Sequence, residues 1–207
     1  RRWLPRLCSG ELIGANAMSE PGSGSDAYGL TTRAEKRGDR YVLSGSKVFV
    51  SNGPVADLYL VFATVDPAKG PNGVSAFLGE RGAGGLTVGS PVRKMGLKTS
   101  PMCELFLDGC EIPAENLLGR EGAGKNLFTD SMNWERSCIL ASAVGAMQRL
   151  LDTSVKYASE RKQFGQPIVK FQLVASRLVD MKLRLETSRA LLYRAGWMKA
   201  KGRSIFL

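Results

Sequence analysis

The chain has 207 residues, 43% of them hydrophobic and 23% charged, an ordinary globular composition with material for one large or two small cores. It has no histidine and four scattered cysteines, Cys8, Cys103, Cys110 and Cys138, which sets aside Cys/His zinc sites and Ser-His-Asp triads, leaves no metal site expected, and reads as reduced thiols in a cytoplasmic protein. The formal charge of +10 suits a solvated basic surface or a polyanionic partner; its Lys and Arg residues are spread along the chain without an aromatic-plus-basic motif, so nucleic acid is not expected.

From the N-terminus, Arg1-Arg2-Trp3-Leu4-Pro5 lacks the apolar core of a signal peptide. No apolar run approaches the roughly 18 residues that cross a bilayer, so no membrane span is expected. Short apolar runs then follow: Tyr41 to Leu43, Lys47 to Val50, Leu58 to Ala63, Val74 to Leu78, Leu86 to Val88 and Glu104 to Leu107. Their β-branched and aromatic content predicts strands. Gly45, Asn52-Gly53, Pro71-Asn72-Gly73 and Asp108-Gly109 predict turns between them. Successive strands with no helix between them point to an antiparallel sandwich or barrel rather than a βαβ sheet.

The pattern changes near residue 120 and becomes helical after Gly124. Leu140, Val144, Met147, Leu151 and Val155 recur at spacings of four, three, four and four, one face of a helix. Asp152 and Lys156 are placed to pair on that helix. Gly165 and Pro167 break the run. Phe171, Val174, Leu178, Met181, Leu185, Ser188 and Leu192 then form a second helical seam suited to a bundle. Gly202, preceded by Lys199 and Lys201, reads as its C-terminal cap. The expected fold class is α+β: an antiparallel β-barrel or sandwich over residues 1–120, then part of an antiparallel helical bundle over 121–207. Two helices do not bury their apolar stripes alone, so the sequence reads as a fragment with further helices expected.

Two loops carry the chemistry. Met18-Ser19-Glu20-Pro21-Gly22-Ser23-Gly24-Ser25-Asp26 and Phe49-Val50-Ser51-Asn52-Gly53 are rich in small and hydroxyl residues. Such loops bring backbone N–H groups, hydroxyls and an aromatic face to a flat, phosphate-bearing ligand. With KMGLKTSPMCEL (94–105), DGCEIPAENLLG (108–119) and YASERKQFGQPIVKFQ (157–172), the chain resembles the acyl-CoA dehydrogenase family. The likeness covers the middle β-domain and the first half of the C-terminal helical domain.

The resemblance implies FAD as cofactor. It puts Met18 and Ser19 near the flavin ring, and Gly24 and Ser25 near the pyrophosphate and the pantetheine arm. Phe49, Val50 and Ser51 fall beside the ring. The family often has Trp where this chain has Phe49, which covers a ring face without an indole N–H. Arg161, Gln163 and Phe164 match the segment that reaches a neighbouring subunit's FAD, which implies a homotetramer or homodimer. Ser100 and Lys98 lie on a loop near the ligand entrance.

The family reaction, known from fatty acid and amino acid catabolism, takes an α-proton by a carboxylate and passes the β-hydrogen to flavin as hydride. A subset that resembles isovaleryl-CoA dehydrogenase carries the carboxylate early in the first helix here, directly before an Arg. Glu135-Arg136 occupies that point, so Glu135 is the candidate base and Arg136 a ligand or charge neighbour. The implied partners are an acyl-CoA and an electron-transfer flavoprotein. An acyl or aminoacyl group on a carrier protein is the close alternative, and a non-catalytic flavin-binding or assembly module is the reading from another class.

Overall fold

The computed structural model describes residues 2–205, the side chain of Ser137 excepted. One compact unit runs to Phe128 and a second begins at Thr129.

The first unit opens with a short helix, α1 (Leu4–Ser9), followed by seven strands. These are β1 (Gly14–Ala17), β2 (Arg33–Arg37), β3 (Arg40–Ser51), β4 (Leu58–Thr64), β5 (Val74–Glu80), β6 (Leu86–Val88) and β7 (Met102–Pro113). They form one sheet in the order β1-β4-β2-β3-β7-β6, with β5 on β4. Most pairs are antiparallel, as the sequence implies, but β1 and β2 each meet β4 in parallel, so the sheet is mixed.

The long pair β3–β7 carries the architecture. Gly45 and Asp108-Gly109 are not turns: β3 runs straight through Gly45, and β7 through Asp108-Gly109, where the register slips by one residue. Runs expected as separate strands are therefore one. Glycine is required at position 45. Its φ is +150°, and an added Cβ would stand 2.5 Å from Thr32 Oγ1 and 2.8 Å from Thr32 Cα. Gly45→Ala is expected to destabilise the protein by about 2–3 kcal/mol through overpacking and backbone strain, measurable by urea unfolding. Wild-type stability would contradict this close approach.

At the start of β3 the inward residues are Tyr41 and Leu43, buried in the main core with Tyr59, Phe77, Leu105 and Ile112. Each such side chain stabilises the fold by about 1.5–3 kcal/mol. Burial and the neighbouring Glu121 carboxylate, which accepts from its hydroxyl, push Tyr41 up to about 12. A second cluster gathers Met18, Leu30, Phe62, Val74 and Ala76. None of the four cysteines is in a disulfide.

Helix α2 (Gly124–Cys138) crosses the boundary between the units; α3 (Leu140–Glu160) and α4 (Gln172–Ala200) belong to the second. Val144, Leu151 and Leu185 form the core between α3 and α4. Leu140 and Val155, expected on the same seam, are more than 40% exposed. Asp152 accepts from Gln148 Nε2 (2.8 Å) rather than from the expected Lys156. Gly202 caps α4 as expected, with its own N–H on Lys199 O and the Arg203 N–H on Met198 O, the paired bonds of a Schellman motif. Among the described residues no helix is long and apolar enough to cross a membrane, and no group of three or more His, Cys, Asp or Glu side chains is placed to hold a metal ion.

Candidate functional site

The two glycine- and serine-bearing loops meet at one end of β3. The Val48 N–H donates to Ser19 O (2.9 Å), and Lys47 Nζ donates to Met18 O (3.1 Å). Ser51 pairs with Met102, and the Asn52 N–H donates to Pro101 O (2.7 Å). Residues 18–19, 48–52 and 101–102 are thus tied to one strand end.

Between Lys47 and Val50 the β3–β7 register shifts by one residue, and Phe49 takes a φ of +55°. A bulge inserts a residue and re-aims a side chain. Without it Phe49 would continue the inward face of Tyr41, Leu43 and Lys47. With it, Val48 and Val50 are buried, and Phe49 is turned out, 67% exposed. A bulky residue held at positive φ with its ring uncovered is not a core residue, and strain of this kind gathers at functional sites.

The other expected residues fall into three groups. Met18 and Val50 point their side chains into the cores, so what they offer a ligand is main chain. Ser19 is half-buried, while Gly24, Ser25 and Ser51 are exposed. A Cβ at Gly24 would meet nothing within 4 Å: the fold leaves space there that a ligand can use. Ser100 is half-buried; its carbonyl accepts from Lys94 Nζ (2.5 Å). Lys94, Lys98 and Arg93 share an open cleft with Pro91, Val92 and Pro101, a basic lining suited to an anionic ligand.

In the second unit, Glu135 and Arg136 are exposed on α2. Trp134 and Ile139 are more than half exposed and Cys138 is exposed, so the apolar side chains that flank Glu135 in sequence do not bury it in this chain. Lys199 Nζ lies over the Trp134 ring, 4.3 Å from its centroid. Arg161, Gln163 and Phe164 occupy a small hairpin of β8 (Lys162–Gln163) and β9 (Gln166–Pro167). Its turn residues Phe164 and Gly165 have φ of +50° and +79°, the positive pair of a primed hairpin turn. Phe164 is 93% exposed and meets Phe171 edge-on at 6.0 Å, so the turn presents an aromatic side chain and, at its base, an exposed arginine.

Two further residues of the site, Glu20 and Lys47, are not singled out by the loop motifs. Their side chains are 2% and 0% exposed and joined at 2.7 Å. The Glu20 carboxylate also accepts from the Thr31 N–H (2.6 Å), Thr31 Oγ1 (2.7 Å) and the Thr32 N–H (3.0 Å). Burial pushes Glu20 upward, but the Lys47 ammonium and the Thr32 and Thr31 hydrogen bonds outweigh it and hold it at about 2. Burial pulls Lys47 below its ordinary value, with Glu20 opposing. The signal was present in the strand pattern: Lys47 has the same parity as Tyr41 and Leu43, a cation on an inward face.

Comparison with known proteins fits this arrangement. The family description "Acyl-CoA dehydrogenase, middle domain" matches residues 15–110, and "Acyl-CoA dehydrogenase, C-terminal domain" matches residues 122–205. An L-prolyl-[peptidyl-carrier protein] dehydrogenase of Pseudomonas fluorescens is 45% identical over 200 residues, covering 96% of this chain and 53% of that protein. The solved structure of the prolyl acyl carrier protein oxidase AnaB superposes with a TM-score of 0.93 at 50% identity, over 98% of this chain and 53% of its own. PigA with FAD and proline gives a TM-score of 0.94 at 43% identity, over 98% and 53%. The chain therefore spans about half the length of these relatives. With both family domains matched in order along one chain, it belongs to the acyl-CoA dehydrogenase family.

Proposed function

We propose that this chain is the flavin- and thioester-handling part of an enzyme that introduces an α,β double bond into an acyl-CoA, with FAD as cofactor. The observation that carries the reading is the β3 bulge, which uncovers Phe49 directly after the Val48 N–H that ties the Ser19 carbonyl, and two residues before the exposed Ser51. The open space beside Gly24 fits the close approach of a phosphate-bearing ligand, and a solved relative is described with FAD.

In this reading residues 1–120 cradle the ligands and residues 121–207 carry the base. Met18 and Ser19 offer main chain to the ring, Phe49 covers a ring face, and Val50 and Ser51 line its edge. Gly24 and Ser25 take the pyrophosphate and the pantetheine arm, and Ser25, Ser100 and Arg136 hold the thioester. Arg161, Gln163 and Phe164 serve the site of a second copy, in a homodimer or homotetramer. The planar fork of Arg161 suits phosphate oxygens. Glu135 accepts the α-proton; the β-hydrogen leaves with its electron pair, and the carbon–carbon double bond forms. FAD, when bound, supplies the acceptor for that hydride. Glu135 is exposed in this chain, and the reading requires that it be shielded from water when the thioester is bound. An electron-transfer flavoprotein is the proposed electron acceptor and the cytoplasm the proposed location.

A second reading changes only the carrier. The Pseudomonas relative is named for a prolyl group on a peptidyl-carrier protein, and AnaB for a prolyl acyl carrier protein. A net charge of +10 suits an acidic carrier domain as well as a coenzyme. The same acyl group is therefore to be offered on CoA and on a carrier protein, and flavin bleaching followed. The first reading predicts reduction by the CoA ester. Bleaching by the carrier-bound group alone sinks it in favour of the second, and bleaching by the CoA ester alone sinks the second.

A further inference from the structure

We propose that the buried Lys47–Glu20 pair is a positioning device that sets the spacing between the Ser19 loop and the Phe49 bulge, and thereby the shape of the flavin seat; this rests on the flavin reading above. The ammonium of Lys47 joins three parts of the chain at one point. It donates to the Met18 carbonyl at 3.1 Å and to Glu20 Oε1 at 2.7 Å, while its own backbone is the last regular β3 position before the bulge. The next residue, Val48, ties the Ser19 carbonyl. Glu20 in turn is fixed by Thr31 and Thr32, and its main chain closes the small loop through the reciprocal bonds with Ser23 at 2.9 and 3.1 Å. The loop before the pair and the bulge after it thus have one common reference.

Stability alone is a poor reason for such a pair. A buried ion pair desolvates two charges, and well-packed apolar residues of similar volume often serve folding as well or better. An apolar pair, however, has no donor for the Met18 carbonyl and no acceptor for the Thr31 and Thr32 N–H groups. What the ions supply is direction: the bonds to the Met18 carbonyl and from the Thr31 and Thr32 N–H groups each fix a main-chain atom to the pair.

The test uses the full-length protein with FAD and three variants. Lys47→Met keeps the length and removes the donor. Lys47→Met with Glu20→Gln also removes the unpaired charge, so the fold is not penalised for a lone buried ion. Leu185→Ala, in the α3–α4 core, lowers stability away from the pair. The readouts are apoprotein melting temperature, FAD dissociation constant and the shape of the visible flavin bands. Both Lys47 variants are expected to bind FAD at least tenfold more weakly with altered bands, even where the double variant melts closer to wild type than the single one. Leu185→Ala is expected to melt lower with FAD affinity and bands unchanged. If wild type binds FAD and the Lys47 variants match it within twofold with unchanged bands, the pair does not position the seat and the flavin reading stands. A wild-type protein that binds no FAD overturns both.

Discussion

Glu135→Gln is expected to slow flavin reduction by an acyl thioester by roughly 10²–10⁴-fold, the usual contribution of a general base, with FAD binding retained. The carboxamide keeps the size of the side chain and loses the ability to accept a proton at physiological pH. Glu135 is exposed on α2, and its carbonyl accepts from the Ile139 N–H at 2.9 Å, so the substitution leaves the helix intact. A stability change beyond about 0.5 kcal/mol is not expected at such a position. Rapid mixing under anaerobic conditions, monitored at the flavin band, reads the rate. A variant that reduces its flavin at the wild-type rate would remove Glu135 from the reaction and place the base elsewhere in the protein.

Acid is expected to unfold the protein through Glu20. Its carboxyl is held at about 2 against an ordinary value of 4.5, so the folded state binds this proton more weakly than the unfolded state. The associated stabilisation is complete above about pH 4.5 and is lost as pH falls toward 2. A depression of this size corresponds to about 3 kcal/mol. Urea unfolding at a series of pH values across that window reads it. Glu20→Gln is expected to be less stable at neutral pH and to show a flatter acid limb. Equal slopes for wild type and variant would show that Glu20 gains nothing from Lys47 in the folded state.

Much of the fold is legible because its strands and helices declare their own pattern. Leu58 to Ala63 and Val74 to Leu78 are apolar enough to be read as β4 and β5, and the recurrence from Leu140 onward gives α3 directly. β1 and β2 were not legible. Gly14-Ala15-Asn16-Ala17 has only small apolar residues, and Arg33 to Arg37 has one apolar side chain, Ala34; their place comes from pairing with β4 and β3. Gly45 and Asp108-Gly109 carry turn chemistry, yet the β3–β7 ladder absorbs them, one as a close approach to Thr32 and the other as a register slip. The parallel contacts of β4 have no local signature at all. In the helical unit the seam was readable but its burial was not: the buried cluster of α3 and α4 is Val144, Leu151 and Leu185, while Leu140 and Val155 of the same seam are exposed.

The site was legible as motifs and not as geometry. Small residues around Gly24 and Ser51 marked the loops, but nothing in Lys47-Val48-Phe49-Val50 announces that the strand gains a residue there and turns Phe49 outward. Glu20 and Lys47 went unread because charged side chains default to solvent; only the inward parity of Lys47 pointed otherwise.

We propose above all that this chain helps hold a flavin which is reduced as an acyl thioester loses its α and β hydrogens. An anaerobic absorbance titration of the full-length protein with a panel of acyl thioesters tests it most directly. The expected result is a yellow protein whose flavin bands bleach with at least one thioester as an α,β-unsaturated product forms. A protein that stays colourless after FAD is added, or a bound flavin that no thioester on either carrier bleaches, would contradict it.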